Sequence, residues 1–123
     1  MPAMTLHVHH LALRVADLER ALAFYAGVLG LPEVQRLRHA DGAWRSVWLR
    51  AGNAILMLET ELKPRGATGG SAHVLAFVVD DLPRWEERLA AAGIEILDRT
   101  AHTLYVSDAD GHRVGLSTLT LPA

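Results

Sequence analysis

The sequence predicts an α+β chain built twice from one βαβββ module, and three observations predict it. The stretch His10-Leu-Ala-Leu-Arg-Val-Ala-Asp-Leu is echoed by His73-Val-Leu-Ala-Phe-Val-Val-Asp-Asp-Leu. Asp17-Leu18 matches Asp81-Leu82 and Gly30-Leu31 matches Gly93-Ile94, so the landmarks recur at an offset of 63 or 64 residues in a chain of 123. Within each half, apolar residues alternate, then recur at helical spacing, then alternate again. A period near half the chain length fixes the architecture before any motif is consulted.

In the first half, residues 6–15 put Leu11, Leu13 and Val15 on one face and His10, Ala12 and Arg14 on the other, the pattern of a half-buried strand. Asp17 then stands where a helix N-cap belongs, with Glu19 in the positive first turn. Leu18, Leu22, Tyr25 and Leu29 recur at helical spacing, and Gly30 supplies the C-terminal stop. Strands follow at 33–38, 44–50 and 54–59, with Asp41-Gly42 and Gly52-Asn53 as the turns.

The second half repeats the scheme. Residues 73–79 read as a strand, Asp81 caps a helix carrying Leu82, Trp85 and Leu89, and Gly93 ends it. Pro83 is tolerated in a first turn, where its missing N–H has no helical partner. Strands are expected near 94–98, 103–107 and 113–118, the last two joined at Asp110-Gly111. The modules therefore span 6–60 and 71–119 of a single domain, 1–123. A linker over 61–70 is marked by Pro64, Gly66, Gly69 and Gly70.

Composition narrows the function classes. Half the residues are hydrophobic and 21% charged, an ordinary globular balance. A formal charge of −2 provides no basic stripe, so nucleic acid is not an expected partner. The absence of cysteine removes disulfides, thiol nucleophiles and thiolate metal sites. No apolar run approaches a membrane span and no export signal precedes the first strand, so a soluble cytoplasmic protein is expected.

Three segments, His10-Leu-Ala-Leu-Arg-Val-Ala-Asp-Leu, Phe24-Tyr25 before Leu29-Gly30-Leu31, and Asp108-Ala-Asp-Gly-His-Arg113, give the chain its family likeness. Over residues 6–119 it resembles the vicinal oxygen chelate superfamily, which includes glyoxalase I, extradiol dioxygenases, and fosfomycin- and bleomycin-resistance proteins. The resemblance implies two modules forming a curved mixed sheet with a concave ligand cup, usually within a homodimer. It also implies four positions around a divalent ion, one from the first strand and one from a later strand of each module. Matched residue by residue these are His10, Met57, His73 and Gly115. The two histidines suit zinc, nickel, manganese or iron. Positions 57 and 115, where the family's metal-dependent members would carry carboxylates, hold a thioether and bare backbone. Glu59 shares the Met57 face and is the one carboxylate that could stand in, as a third ligand or a general base. Asp108, Asp110 and His112 read instead as turn chemistry.

Strand parity extends the cup. Arg14 falls beside His10, and Leu75 and Phe77 fall with His73. Met57 and Glu59 share a face, Trp44 and Trp48 flank Ser46, and Tyr105 and Ser107 follow the same rule. Arg14, Trp44, Trp48, Met57, Phe77 and Tyr105 would line a mostly apolar pocket with a few polar handles. Each has a plainer role as well. The tryptophans suit a dimer interface, Met57 fills core space, Arg14 can pair with Glu59, and Gly115 can mark a bulge. The expected function is capture of a small apolar or aromatic molecule, without the full metal site of the family. The alternative is a lyase or dioxygenase using His10 and His73 as metal ligands, in which the ion stabilises an enolate-like or oxyanion intermediate.

Overall fold

In a computed structural model, residues 6–62 and 73–120 are described. The chain divides into two compact units, 1–63 and 64–123, meeting inside the segment expected to be the linker. Residues 63–72, which take in most of that 61–70 linker, lie outside the described residues.

The first unit is a four-stranded mixed sheet in the order β1-β4-β3-β2, made of β1 (His10–Arg14), β2 (Glu33–Arg38), β3 (Trp44–Ala51) and β4 (Ala54–Glu59). Strand β1 is parallel to β4, and the other pairs are antiparallel. Helix α1 (Leu18–Leu22) packs on β3 and β4 and passes directly into a π-helical segment, Ala23–Val28. The Asp17 carboxylate caps α1, accepting from the Glu19 and Arg20 N–H groups at 2.9 and 3.2 Å. In the wider turn, Leu29 N–H reaches Phe24 C=O at 2.9 Å, and the Phe24 and Tyr25 rings meet edge to face. Gly30, at φ 80°, ends the helix in a left-handed conformation that glycine adopts freely. Val47, Leu49, Leu56 and Leu58 are almost completely buried, as are Val15 and Tyr25. These residues alternate along their strands, which defines the sheet's helix-covered side.

The second unit repeats this plan in the order β5-β8-β7-β6, from β5 (Val74–Val78), β6 (Asp98–Arg99), β7 (Thr103–Ser107) and β8 (Arg113–Ser117). Helix α2 (Leu82–Ala91) starts at Asp81, whose carboxylate accepts from Arg84 N–H at 3.1 Å, and stops before Gly93 at φ 73°. Asp108 organises the β7–β8 turn, accepting from the N–H groups of Asp110 and His112 at 2.9 and 2.8 Å. This is the turn chemistry expected there.

The expected strand near 94–98 shrinks to two residues. Its apolar alternation is present, but its backbone meets the sheet only at its end, through Leu97 N–H to Tyr105 C=O, the pairing of Asp98 and Arg99 with β7, and Thr100 N–H to Thr103 C=O.

Candidate functional site

The side of the first sheet away from α1 carries Arg14, Trp48, Met57 and Glu59 of the expected site residues. The register sets Ala12, Met57, Trp48 and Gln35 in one row, and Arg14, Glu59, Ser46 and Leu37 in the next. Met57 is 8% exposed, and Trp48 and Glu59 are half-buried. A relay of hydrogen bonds joins the two rows. The Trp48 indole N–H donates to the Ser46 hydroxyl at 2.9 Å, and that hydroxyl donates to Glu59 Oε1 at 2.9 Å. Ser46 is wholly buried, so both contacts are made out of reach of water. The relay was not foreseen from the sequence, although Ser46 was placed between two tryptophans of like parity.

Two expectations for this unit are corrected. Glu59 cannot complete a metal site at His10. His10 is in register with Ile55, four residues earlier on β4, so the two rows stand about 13 Å apart at about 3.3 Å per residue. Trp44 counts with Trp48 along the strand, but the register shift between Leu37 and Arg38 sets it opposite Arg38, on the side of Arg36 and Val47 and away from Trp48. There the Arg38 guanidinium lies 3.7 Å from its ring centroid and that of Arg36 5.1 Å, a cation–π stack.

The second unit corrects the matching of the two histidines. Ala12 pairs with Met57, and Ala76 pairs with Gly115. His10 lies two residues before Ala12, and the residue two before Ala76 is Val74. From the first strand to the helix cap of each unit the structural repeat thus runs at an offset of 64, making Val74 the counterpart of His10 and His9 the counterpart of His73. Because side chains alternate, the slip of one residue also moves Phe77. Phe77 is in register with Leu116, on the side of Leu104, Val106 and Val114, all at most 1% exposed. Tyr105 lies on the other side, in register with Gly115. Phe77 and Tyr105 therefore do not line one surface of this sheet, and Leu75 goes with Phe77.

Tyr105 explains Gly115. A Cβ at position 115 would stand 3.3 Å from Tyr105 Cε1, 3.3 Å from Ala76 Cβ and 3.5 Å from Thr103 Cγ2. The ring occupies the space where a longer side chain would emerge, and the Arg113 guanidinium stacks on it at 4.5 Å. Thr103 and Ser117 hydroxyls close the same side at 2.7 Å. The four positions the resemblance assigns to an ion thus hold His10, Met57, Val74 and Gly115, which is one imidazole, one weak thioether and no anion, a donor set that does not suit a hard divalent ion. Among the described residues of either unit, no three His, Cys, Asp or Glu side chains gather as metal ligands.

The comparisons with known proteins agree with the fold. The family model described as the Glyoxalase/Bleomycin resistance protein/Dioxygenase superfamily matches residues 7–116. The chain is 29% identical over 124 residues to a metallothiol transferase FosB of Bacillus licheniformis, covering 92% of this chain and 75% of that protein. Among solved structures, the fosfomycin resistance protein FosX from Mesorhizobium loti superposes with a TM-score of 0.76 at 24% identity, over 96% of this chain and 95% of that one. A FosX mutant from Listeria monocytogenes, complexed with Mn(II) and 1S,2S-dihydroxypropylphosphonic acid, gives 0.77 at 19% identity over 96% of each chain. No helix among the described residues is long and apolar enough to cross a membrane.

Proposed function

This chain belongs to the Glyoxalase/Bleomycin resistance protein/Dioxygenase superfamily, and from that premise we propose that it binds a small, largely apolar or aromatic molecule without a metal centre. The observation that carries the reading is Gly115 against the Tyr105 ring, where even a Cβ would stand only 3.3 Å from Tyr105 Cε1 and Ala76 Cβ. Where metal-dependent relatives would carry an anionic ligand, this chain has placed an aromatic ring instead. Tight packing at Gly115 supports the reading that no carboxylate is accommodated at that position.

The binding surface is the side of the first sheet that bears Met57 and Trp48. Trp48 presents a ring whose N–H is already satisfied, so its face is free to stack without the cost of burying an unpaired donor. Met57 supplies a polarizable neighbour that adapts to ligand shape. Glu59 and Arg14, side by side in register, are the polar handles, with Glu59 Oε1 fixed by Ser46. As a homodimer of soluble chains the protein would present this surface twice.

A thermal-shift screen of chelator-treated protein against aromatic natural products tests the proposal, with isothermal titration of any compound that responds. Stabilisation by an aromatic compound in the absence of metal, weakened by Trp48→Ala, is expected. Strong stabilisation by Mn(II) or Zn(II), with no response to any such compound, contradicts it. That result would restore the metal-dependent lyase or dioxygenase reading.

A further inference from the structure

Three of the seven histidines lie within four residues, His7, His9 and His10, at the entry to β1. None of them takes part in the proposed ligand surface. In a continuous strand His9 and His10 would point to opposite sides. His9, however, lies one residue outside β1, and the two rings turn toward each other. Their Nδ1 atoms are 2.9 Å apart, the ring centroids 5.1 Å, and the planes meet at 82°. The backbone beneath them is held. The His9 carbonyl accepts from Ile55 N–H at 3.0 Å, and His10 is in register with Ile55. Both side chains are exposed, so an ion reaches them without opening the fold.

We propose that His9 and His10 form a bidentate chelate, through their two Nδ1 atoms, for a square-planar divalent ion of the copper or nickel class. The donor set decides the class. The 2.9 Å contact is a hydrogen bond between the rings, and it shows that the two Nδ1 atoms approach as closely as two nitrogens about 2.0–2.1 Å from one ion at a right angle, about 2.9 Å. Imidazole suits both ions, and Cu(II) binds most tightly among the divalent first-row metals at such a site. Mn(II), which prefers several oxygen donors, gains little from two imidazoles.

The chemistry balances without an added reactant. Neutral imidazole carries one proton, so one ring of the pair donates from Nδ1 and the other accepts at Nδ1. When the ion arrives, the donor ring's proton is exchanged through water to Nε2. Both Nδ1 lone pairs then become available, and side-chain rotation turns them toward a common point off the N···N line. This chelate differs from the family's arrangement, which would draw a second ligand from a later strand and a third from the other module. Here both donors are adjacent in sequence.

Isothermal titration of untagged, chelator-treated protein with Cu(II) and Ni(II), with electron paramagnetic resonance of the copper form, tests the inference. About one Cu(II) per chain with nitrogen coupling from two imidazoles is expected. His9→Ala and His10→Ala should each weaken binding on the order of 100-fold, and His73→Ala should leave it unchanged. Far-UV circular dichroism of the variants verifies their folding. Wild-type affinity in His9→Ala overturns the proposal. Loss in His10→Ala and His73→Ala with His9→Ala intact overturns it too, and in addition contradicts the metal-free reading of the protein. Absence of Cu(II) binding by the wild-type protein overturns the chelate alone.

Discussion

The two units share one backbone lattice and differ in what they place at its centre. In the first, the central row carries Met57 flanked by Ala12 and Trp48; in the second, Gly115 flanked by Ala76 and Tyr105. Both aromatics sit on the strand beside the central one, and their tethers differ. Trp48 is held through its N–H by a buried serine, which leaves the ring face available. Tyr105 lies down on bare backbone beneath the Arg113 guanidinium, so its ring is consumed as packing. One duplicated fold has thus produced one side suited to stacking a ligand and one that fills itself.

The sharpest way to break this comparison is to ask whether the buried sides are as alike as the topology implies. Leu58 and Leu116 occupy corresponding positions on the central strands and are 0% and 1% exposed. Leu58→Ala and Leu116→Ala should each cost about 2–5 kcal/mol in urea denaturation. A loss in one unit only would show that the two cores do not contribute alike.

The next effect concerns position 115. Gly115→Glu should cost at least about 2 kcal/mol, because the side chain is forced against Tyr105 and Ala76 and its charge is poorly solvated. Combined with Tyr105→Ala, the loss should be smaller than the sum of the single losses by about 1 kcal/mol, as expected of residues in direct contact. Strict additivity in a double-mutant cycle would mean that the ring does not occupy that space.

In the first unit, Ser46→Ala leaves the Trp48 N–H without its acceptor and removes a donor from Glu59. The expected cost is about 1–3 kcal/mol. Emission from a variant retaining Trp48 as its sole tryptophan should shift as the ring is released. Unchanged emission and stability would dismantle the relay.

The smallest effect is electrostatic. The Arg36 guanidinium hydrogen-bonds to Glu33 and holds its carboxyl below the usual value of 4.5, while Arg36 is itself pushed up. A depressed carboxyl favours the folded state above its unfolded pKa, and this contribution is lost as the pH falls through the lower folded value. Both groups are well exposed to solvent screening, so Glu33→Gln should reduce stability at pH 7 by less than about 0.5 kcal/mol. The difference from the parent should begin to shrink as the pH falls through about 4.5 and vanish only below the lower folded value. A persistent difference there would assign the effect to something other than this charge pair.

Much of this architecture was legible in the sequence, for identifiable reasons. Strands β2, β3 and β4 fall within a residue of their expected limits, because period-two alternation is bounded by Asp41-Gly42 and Gly52-Asn53. Asp17 and Asp81 marked their helices through a chemistry that few residue types supply. The π-helical turn at Ala23–Val28 was invisible, since Leu18, Leu22, Tyr25 and Leu29 fit the ordinary helical period equally well.

The candidate site was less legible. Consecutive histidines at 9 and 10 allowed the repeat to be matched at an offset of 63 or 64, and strand pairing settles it at 64 for the first strand of each unit. A slip of one residue inverts every side chain on a strand, which is why Phe77 stands on the side of Leu116 and not with Tyr105. The Trp44 stacking depends on Arg38, brought opposite by a register shift between Leu37 and Arg38 that no spacing rule announces.

The central claim is that the chain lacks the metal centre of its metal-dependent relatives, and equilibrium dialysis against Mn(II) with elemental analysis tests it most directly. Mn(II) is the ion held by the superposed FosX mutant, and two exposed imidazoles bind it weakly. The untagged protein should retain no stoichiometric Mn(II). About one ion per chain, lost on His10→Ala and on His73→Ala alike, would contradict the account.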